Sequence, residues 1–136
     1  ERARKIVDIV SVQNLYNLTQ RQSEDVLDHC TSQGIAFIPW FPIAAGKLAA
    51  PGGPVDDIVK ATGATAAQVS LAWLLARSPV MLPIPGTSRV EHLEENLAAS
   101  EVELSAADLR EIDDALASVS IQGERYPERL QKLVDR

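Results

Sequence analysis

Three short apolar runs, each followed by a segment with helical periodicity, constrain this chain more than any other feature in it. The runs are DIVSVQ (8–13), IAFIPW (35–40) and VMLP (80–83). Strands that alternate with helices in units of this size form parallel sheets through crossover connections, so the fold class is α/β. IAFIPW is apolar at successive positions, which predicts a strand buried on both faces, as in a covered parallel sheet. A three-stranded sheet has an open edge on each side, a liability if nothing covers it. The pattern reads as part of a larger closed object.

Helix starts are marked by capping boxes, in which a Ser or Thr hydroxyl takes the amide three residues on and the side chain there reaches back. Thr19 with Gln22 predicts a first helix carrying Val26, Leu27 and Cys30 inward and stopping at Gly34. Thr65 with Gln68 predicts a helix with Val69, Ala72, Trp73 and Ala76 on one face, stopped by Pro79. Ser88 with Glu91 predicts a helix to about Ala99, and Ser105 with Asp108 a last one through Ala117. Residues 55–63 read as a short helix. After the first run, NLYNLTQ has polar Asn14, Asn17 and Thr19 among its apolar positions and reads as a loop, so the first strand is expected to end at Gln13. FPIAAGKLAAPGGP (41–54) holds four alanines, three glycines and three prolines; a loop of that length is usually functional or disordered. The chain opens without Met on what reads as the end of a helix, Glu1 to Ile6, which suggests residues upstream.

Composition excludes several function classes. At 136 residues and 46% hydrophobic, the chain should bury a core. Its net charge is −6 and its 13 Lys and Arg are scattered, so no basic face tracks a phosphate backbone and nucleic acid is not an expected partner. A single cysteine, Cys30, excludes an internal disulfide and any CxxC metal or redox motif, and fits the cytoplasm. No apolar run approaches the ~20 residues of a membrane span, and no signal-peptide core is present.

Binding chemistry concentrates in MLPIPGTSRVEHLEEN (81–96). After a strand, Pro85 and Gly86 turn the chain, and Thr87 and Ser88 present hydroxyls and amides at the start of a helix whose dipole favours an anion. That is the make-up of a phosphate site, although the same residues would serve as an ordinary cap.

Four segments, VSVQNLYNL (10–18), IPWFPIAAGKL (38–48), TAAQVSLAWLLAR (65–77) and LPIPGTSRVEHLEENLAASEVELS (82–105), together resemble the C-terminal portion of the aldo-keto reductase family. IQGERYP (121–127) looks like a tail common in bacterial members. The resemblance implies the C-terminal portion of a TIM (β/α)8 barrel, roughly strands six to eight with their helices and a C-terminal extra helix. It makes residues 1–136 a single partial domain, with 118–136 as its tail. It further implies an NADP-dependent oxidoreductase moving hydride between NADPH and an aldehyde, ketone or alcohol, with the active site at the C-terminal ends of the strands. The family's catalytic Tyr, Asp, Lys and His lie on the first four strands, so no catalytic residue and no metal site is expected here, and the chain alone is expected to be inactive. Neither histidine, His29 or His92, sits where the catalytic one should. Tyr16 has no Lys or Asp placed to tune it as an acid and reads rather as a loop aromatic over the barrel rim.

Carried over residue by residue, the resemblance has Gln13 holding the nicotinamide carboxamide, since an amide both donates and accepts; a strand-end amide satisfied by backbone is the plainer reading. Trp40 would stack on one face of the nicotinamide and leave the other for hydride transfer, whereas Trp73, within a helical stripe, reads as core. Phe41, Pro42, Ile43 and Gly46 would line the pyrophosphate along their backbone, and Lys47 either adds a charge there or stays a solvated surface lysine. Gly86, Thr87 and Ser88 would hold the adenosine 2′-phosphate, with Glu95 and Asn96 against the adenine. Many members have Lys at the position of Gly86 and Arg at that of His92. Since His is only partly charged near neutral pH, the preference for NADPH is weakened and NADH stays open. Arg89, one residue into the helix, either compensates or is a plain surface arginine. A non-catalytic nucleotide-binding or regulatory barrel module is the competing reading. A half-barrel closed by dimerisation would have six strands, short of eight. Substrate identity and oligomeric state do not follow from the sequence.

Overall fold

The first two apolar runs pair as parallel strands, β1 (Ser11–Leu15) and β2 (Ala36–Trp40), in a computed structural model that describes residues 2–43 and 55–117. Helix α1 (Glu24–Gln33) connects them. It ends where expected: Gly34 takes the left-handed conformation at φ 64°, and its amide reaches the carbonyls of Cys30 and Thr31. Four more helices follow among the described residues, α2 (Asp56–Thr62), α3 (Ala66–Arg77), α4 (Val90–Ala98) and α5 (Ala106–Ala117). Near the start, Ala3–Lys5 forms an exposed 3-10 turn in place of the helix end expected over 1–6. A second such turn, Ala99–Glu101, follows α4.

The third apolar run does not become a full strand. It meets β2 through one parallel bridge, Phe37 to Met81, in which the Phe37 amide donates to Val80 at 2.8 Å and the Leu82 amide donates to Phe37 at 2.8 Å. The next bond in that ladder would need an amide hydrogen on residue 39, and residue 39 is proline. Conversely β1 outruns its expected end at Gln13. Asn14 pairs with Pro39 and Leu15 with Trp40, so pairing with β2 overrides the low strand preference of Asn14.

Burial is one-sided, against the expectation that β2 is covered on both faces. Phe37 and Pro39 are buried, while Ala36, Ile38 and Trp40 stay half-exposed. The buried face joins a core of Leu18, Leu27, Cys30, Val69, Leu71, Leu74, Met81 and Ile112; each such side chain contributes about 1.5–3 kcal/mol when fully buried. At its centre Trp73, with no exposed surface, stacks on Tyr16 at 5.9 Å between centroids and lies under the Arg21 guanidinium at 4.5 Å. Ala76, expected on the same face as Trp73, is exposed. Large apolar side chains also remain exposed at Val10, Leu82, Ile84, Val90, Leu93 and Leu97, more than a closed single domain of this size would show as one set.

Two of the four expected capping boxes form. Thr65 and Gln68 exchange amide and side-chain bonds at 3.2 and 2.9 Å, and Ser105 and Asp108 do so at 3.2 and 2.7 Å. Ser105 thereby holds the Asp108 carboxyl below its ordinary pKa. Thr19 caps nothing: its amide and hydroxyl both donate to the Asn17 side chain at 3.0 Å, and α1 begins later, after Ser23. Asn17 is nearer in the chain and competes for the same groups. At α4 the N-cap is Arg89 rather than Ser88, so Arg89 stands before the helix and not one residue into it. Thr65→Ala should therefore cost about 1 kcal/mol in urea unfolding of the chain, while Ser88→Ala should leave the midpoint unchanged. Equal losses would mean that Ser88 caps α4 after all.

Candidate functional site

Because β1, β2 and the segment at Met81 run parallel, their C-terminal ends lie at one rim. In-register parallel partners share a face, so the pairings Gln13 with Ile38 and Leu15 with Trp40 put Gln13 and Trp40 on the same side of the sheet, one pair apart. This side lies opposite Phe37; Gln13 is exposed on it, Ile38 and Trp40 are half-exposed, and Leu15 is buried. Gln13 is exposed and sits in the middle of β1 rather than at its end. Trp40 does end β2, half-buried, with the Phe41 ring tilted beside it at 6.3 Å.

Beyond Trp40 the chain turns sharply. Phe41 has φ 61°, the one positive value among the described residues other than glycine, and that conformation costs on the order of 1–2 kcal/mol for a residue with a side chain. Its side chain is 46% exposed, while Pro42 is buried and Ile43 packs on the core. Gly46 and Lys47 lie outside the described residues.

The segment that leaves Met81 starts out parallel to β2. Gly86, Thr87, Ser88, Arg89 and His92 are all exposed, and Glu95 and Asn96 are half-buried. No N-cap side chain satisfies the first amides of α4; the Thr87 hydroxyl instead accepts from the Arg89 amide at 3.1 Å. A helix start left open in this way points unmet amides and the positive end of its dipole at solvent, the arrangement an anion needs. Arg89 adds charge, partly countered by Glu91, whose carboxylate lies 3.5 Å from its Nε. Gly86 has ordinary backbone angles and nothing within 4 Å of where a Cβ would sit, so the fold does not require glycine there. Glu95 is fixed through its carbonyl, which accepts from Gln68 Nε2 at 3.2 Å, tying α4 to the start of α3.

Tyr16 is not at the rim. It is fully buried on the helix side, edge-on to Phe37 at 5.7 Å, and its hydroxyl donates to Glu24 at 2.6 Å while accepting from Arg77 Nε at 3.4 Å. Arg77 also pairs with Glu24. Burial pushes the phenol above its ordinary pKa, outweighing the Arg77 hydrogen bond and charge that pull it down. A phenol held in this way is a worse acid near neutral pH and is out of reach of a rim-bound molecule.

A residue that sequence reasoning passed over is Asn17. Fully buried beneath the rim, it donates to the Phe41 carbonyl at 3.0 Å. The available signal was an Asn just past a strand, a residue type that locks turns with its own side chain.

The family model described as "Aldo/keto reductase family" matches residues 1–117. The chain belongs to the aldo/keto reductase family. Among curated relatives, an uncharacterized oxidoreductase of Schizosaccharomyces pombe is 50% identical over 112 residues, covering 82% of this chain and 37% of the relative. A pyridoxine 4-dehydrogenase of Escherichia coli is 46% identical over 111 residues, covering 82% and 38%. Two solved aldo/keto reductases share the α/β fold. A thermostable enzyme in complex with the inhibitor epalrestat superposes with a TM-score of 0.73 at 34% identity, over 81% of this chain and 41% of that one. One from Klebsiella pneumoniae in complex with NADP and acetate does so at 0.72 and 28%, over 87% and 43%. The chain thus spans about two fifths of the length of the aldo/keto reductases it matches.

In this aldo/keto reductase chain the raised Tyr16 pKa fixes a pH dependence. Its folded value lies above the unfolded value of about 10, so the stabilisation is fully present below that pH and is lost as pH rises through the folded value. Tyrosinate absorbance near 295 nm, measured against Tyr16→Phe, should show Tyr16 titrating above the ordinary tyrosine range. The Phe variant, which loses the bond to Glu24, should be about 1 kcal/mol less stable at pH 7.

Proposed function

We propose that these residues form the cofactor-holding part of an NADP(H)-dependent oxidoreductase that moves hydride between NADPH and an aldehyde or ketone. The observation that carries this is the placement of Gln13 and Trp40 on a shared sheet face, in a chain of this family whose α4 starts without a side-chain cap. Two Klebsiella pneumoniae relatives of known structure hold NADP or NADPH, at 28% and 31% identity, which favours the same cofactor here. In this reading β1, β2 and the Met81 segment are the sixth, seventh and eighth strands of a TIM barrel, and the half-exposed sheet face is the barrel interior.

Bound there, the nicotinamide supplies the hydride. Gln13 presents an amide for the carboxamide, and Trp40 offers a flat face that fixes the ring and shields one side of it. Phe41, Pro42 and Ile43 carry the backbone past the pyrophosphate. Thr87, Ser88 and the first amides of α4 receive the 2′-phosphate, assisted by Arg89 and His92. Glu95 and Asn96, one turn on, face the adenine. None of these side chains donates a proton to a developing alkoxide, and buried Tyr16 is unsuited to do so. Proton transfer is therefore assigned to strands of the complete barrel outside these 136 residues, and the chain alone is inactive toward aldehydes.

Calorimetric titration tests this reading. NADPH should bind the chain, and Trp40→Ala should weaken it about tenfold, the loss of one stacked aromatic. Binding that ignores both Trp40→Ala and Gln13→Ala would sink the assignment. Since a side chain fits at residue 86, Gly86→Lys should tighten NADPH on the order of tenfold through a charged contact to the 2′-phosphate and leave NADH unchanged. An equal gain for both cofactors would place the phosphate elsewhere.

A further inference from the structure

We propose that Asn17 is the positioning residue of this rim: it clamps the exit of β1 to the exit of β2 and so sets the pose of Trp40. The consequence for cofactor binding rests on the function proposed above; the clamp itself does not.

Asn17 has no exposed surface, and burying a carboxamide is unfavourable unless its groups are paired. All of its hydrogen-bonding capacity is engaged. Its Nδ2 donates to Gln20 Oε1 at 3.2 Å and to the Phe41 carbonyl at 3.0 Å, and its Oδ1 accepts the amide and the hydroxyl of Thr19, each at 3.0 Å. Its backbone is held as well, exchanging two bonds of 3.1 Å with Gln20 across a turn that buries Leu18. Asn17 is therefore a fixed post, set by local bonds to Thr19 and Gln20, that reaches 24 residues along the chain to a single carbonyl.

That carbonyl belongs to Phe41, the residue in the left-handed conformation. A strained non-glycine conformation persists only where its surroundings over-determine it. The bond from Asn17 is such a determinant, and Trp40 is the residue immediately before it, so the direction in which the backbone leaves β2 governs where the indole sits. Gln13 lies on the other strand, β1, which leads directly into Asn17. One amide thus joins the exits of the two strands that carry Gln13 and Trp40. Only an amide serves both roles here, since an ionised carboxylate keeps the acceptor for Thr19 but turns a lone pair toward the Phe41 carbonyl.

The test is Asn17→Asp in the 136-residue chain labelled with 5-fluorotryptophan. The two tryptophans, Trp40 and Trp73, give two fluorine resonances, assigned with Trp40→Phe. The substitution should shift or broaden the Trp40 resonance and leave that of Trp73, and should weaken NADPH about tenfold by misplacing the ring. Glycine adopts the Phe41 conformation without strain. In a Phe41→Gly background the same Asn17→Asp change should therefore no longer move Trp40, and that pair also decides the matter if Asn17→Asp alone fails to fold. An unmoved Trp40 resonance overturns the proposal. So does equal disturbance of both tryptophans in both backgrounds, which would make Asn17 a general support of the fold. A displaced Trp40 with unchanged NADPH affinity upholds the clamp and removes its role in binding. If the parent chain binds no NADPH, the cofactor reading fails while the fluorine result still judges the clamp.

Discussion

The register of β1 against β2, with Leu15 opposite Trp40, is the constraint on which the rest of the rim depends. In a parallel ladder a slip of one residue would send every side chain of one strand to the other face. Gln13 would then turn toward the helices and Phe37 would lose its place among Tyr16, Trp73 and Met81. The register is in turn held by how completely one face is buried. Phe37 has no exposed surface, and Tyr16, leaving β1, packs its ring edge-on against it. The apolar core and the candidate binding face are thus two sides of one pairing, and the sheet cannot keep the second without the first.

The one-sided burial also explains what is left over. β2 hides Phe37 and Pro39 and leaves Ile38 and Trp40 half-exposed, while the segment next to it hides Met81 and exposes Leu82 and Ile84. Under the function proposed above, the other side is the inner lining that a closed barrel would fill with layers of side chains. The chain spans about two fifths of its relatives' length.

Much of this was legible from sequence where a local signal coincided with the tertiary outcome. The Thr65–Gln68 and Ser105–Asp108 boxes and the stop at Gly34 are decided within a few residues, and they stand. The Thr19–Gln22 box failed because Asn17, two residues before Thr19, offered a better-placed acceptor. The Ser88–Glu91 box did not form: α4 starts one residue later, with Arg89 as its N-cap and no side-chain cap bond. The first failure is a competition between neighbouring hydroxyls and amides, which spacing alone does not rank. Tyr16 was misplaced over the rim because a Tyr after a strand has no sequence mark for the side it packs on; Trp73 and Arg77, some 60 residues away, decide that. Gln13 and Trp40 share a face through the strand register, with Gln13 in mid-strand rather than at the expected end, whereas the Asn17 bond to Phe41 is a long-range contact that no spacing announces.

The prolines near the rim have a consequence for how the molecule behaves in company. The groups of Val80 and Leu82 turn toward β2, as their bonds to Phe37 show; the Met81 amide donates back to Ser78 at 3.1 Å, and residues 83 and 85 are prolines without an amide hydrogen. A strand that pairs with this segment therefore finds few donors beyond those β2 already uses, so its ladder is sparse, and the exposed Leu82 and Ile84 leave side-chain packing to hold it.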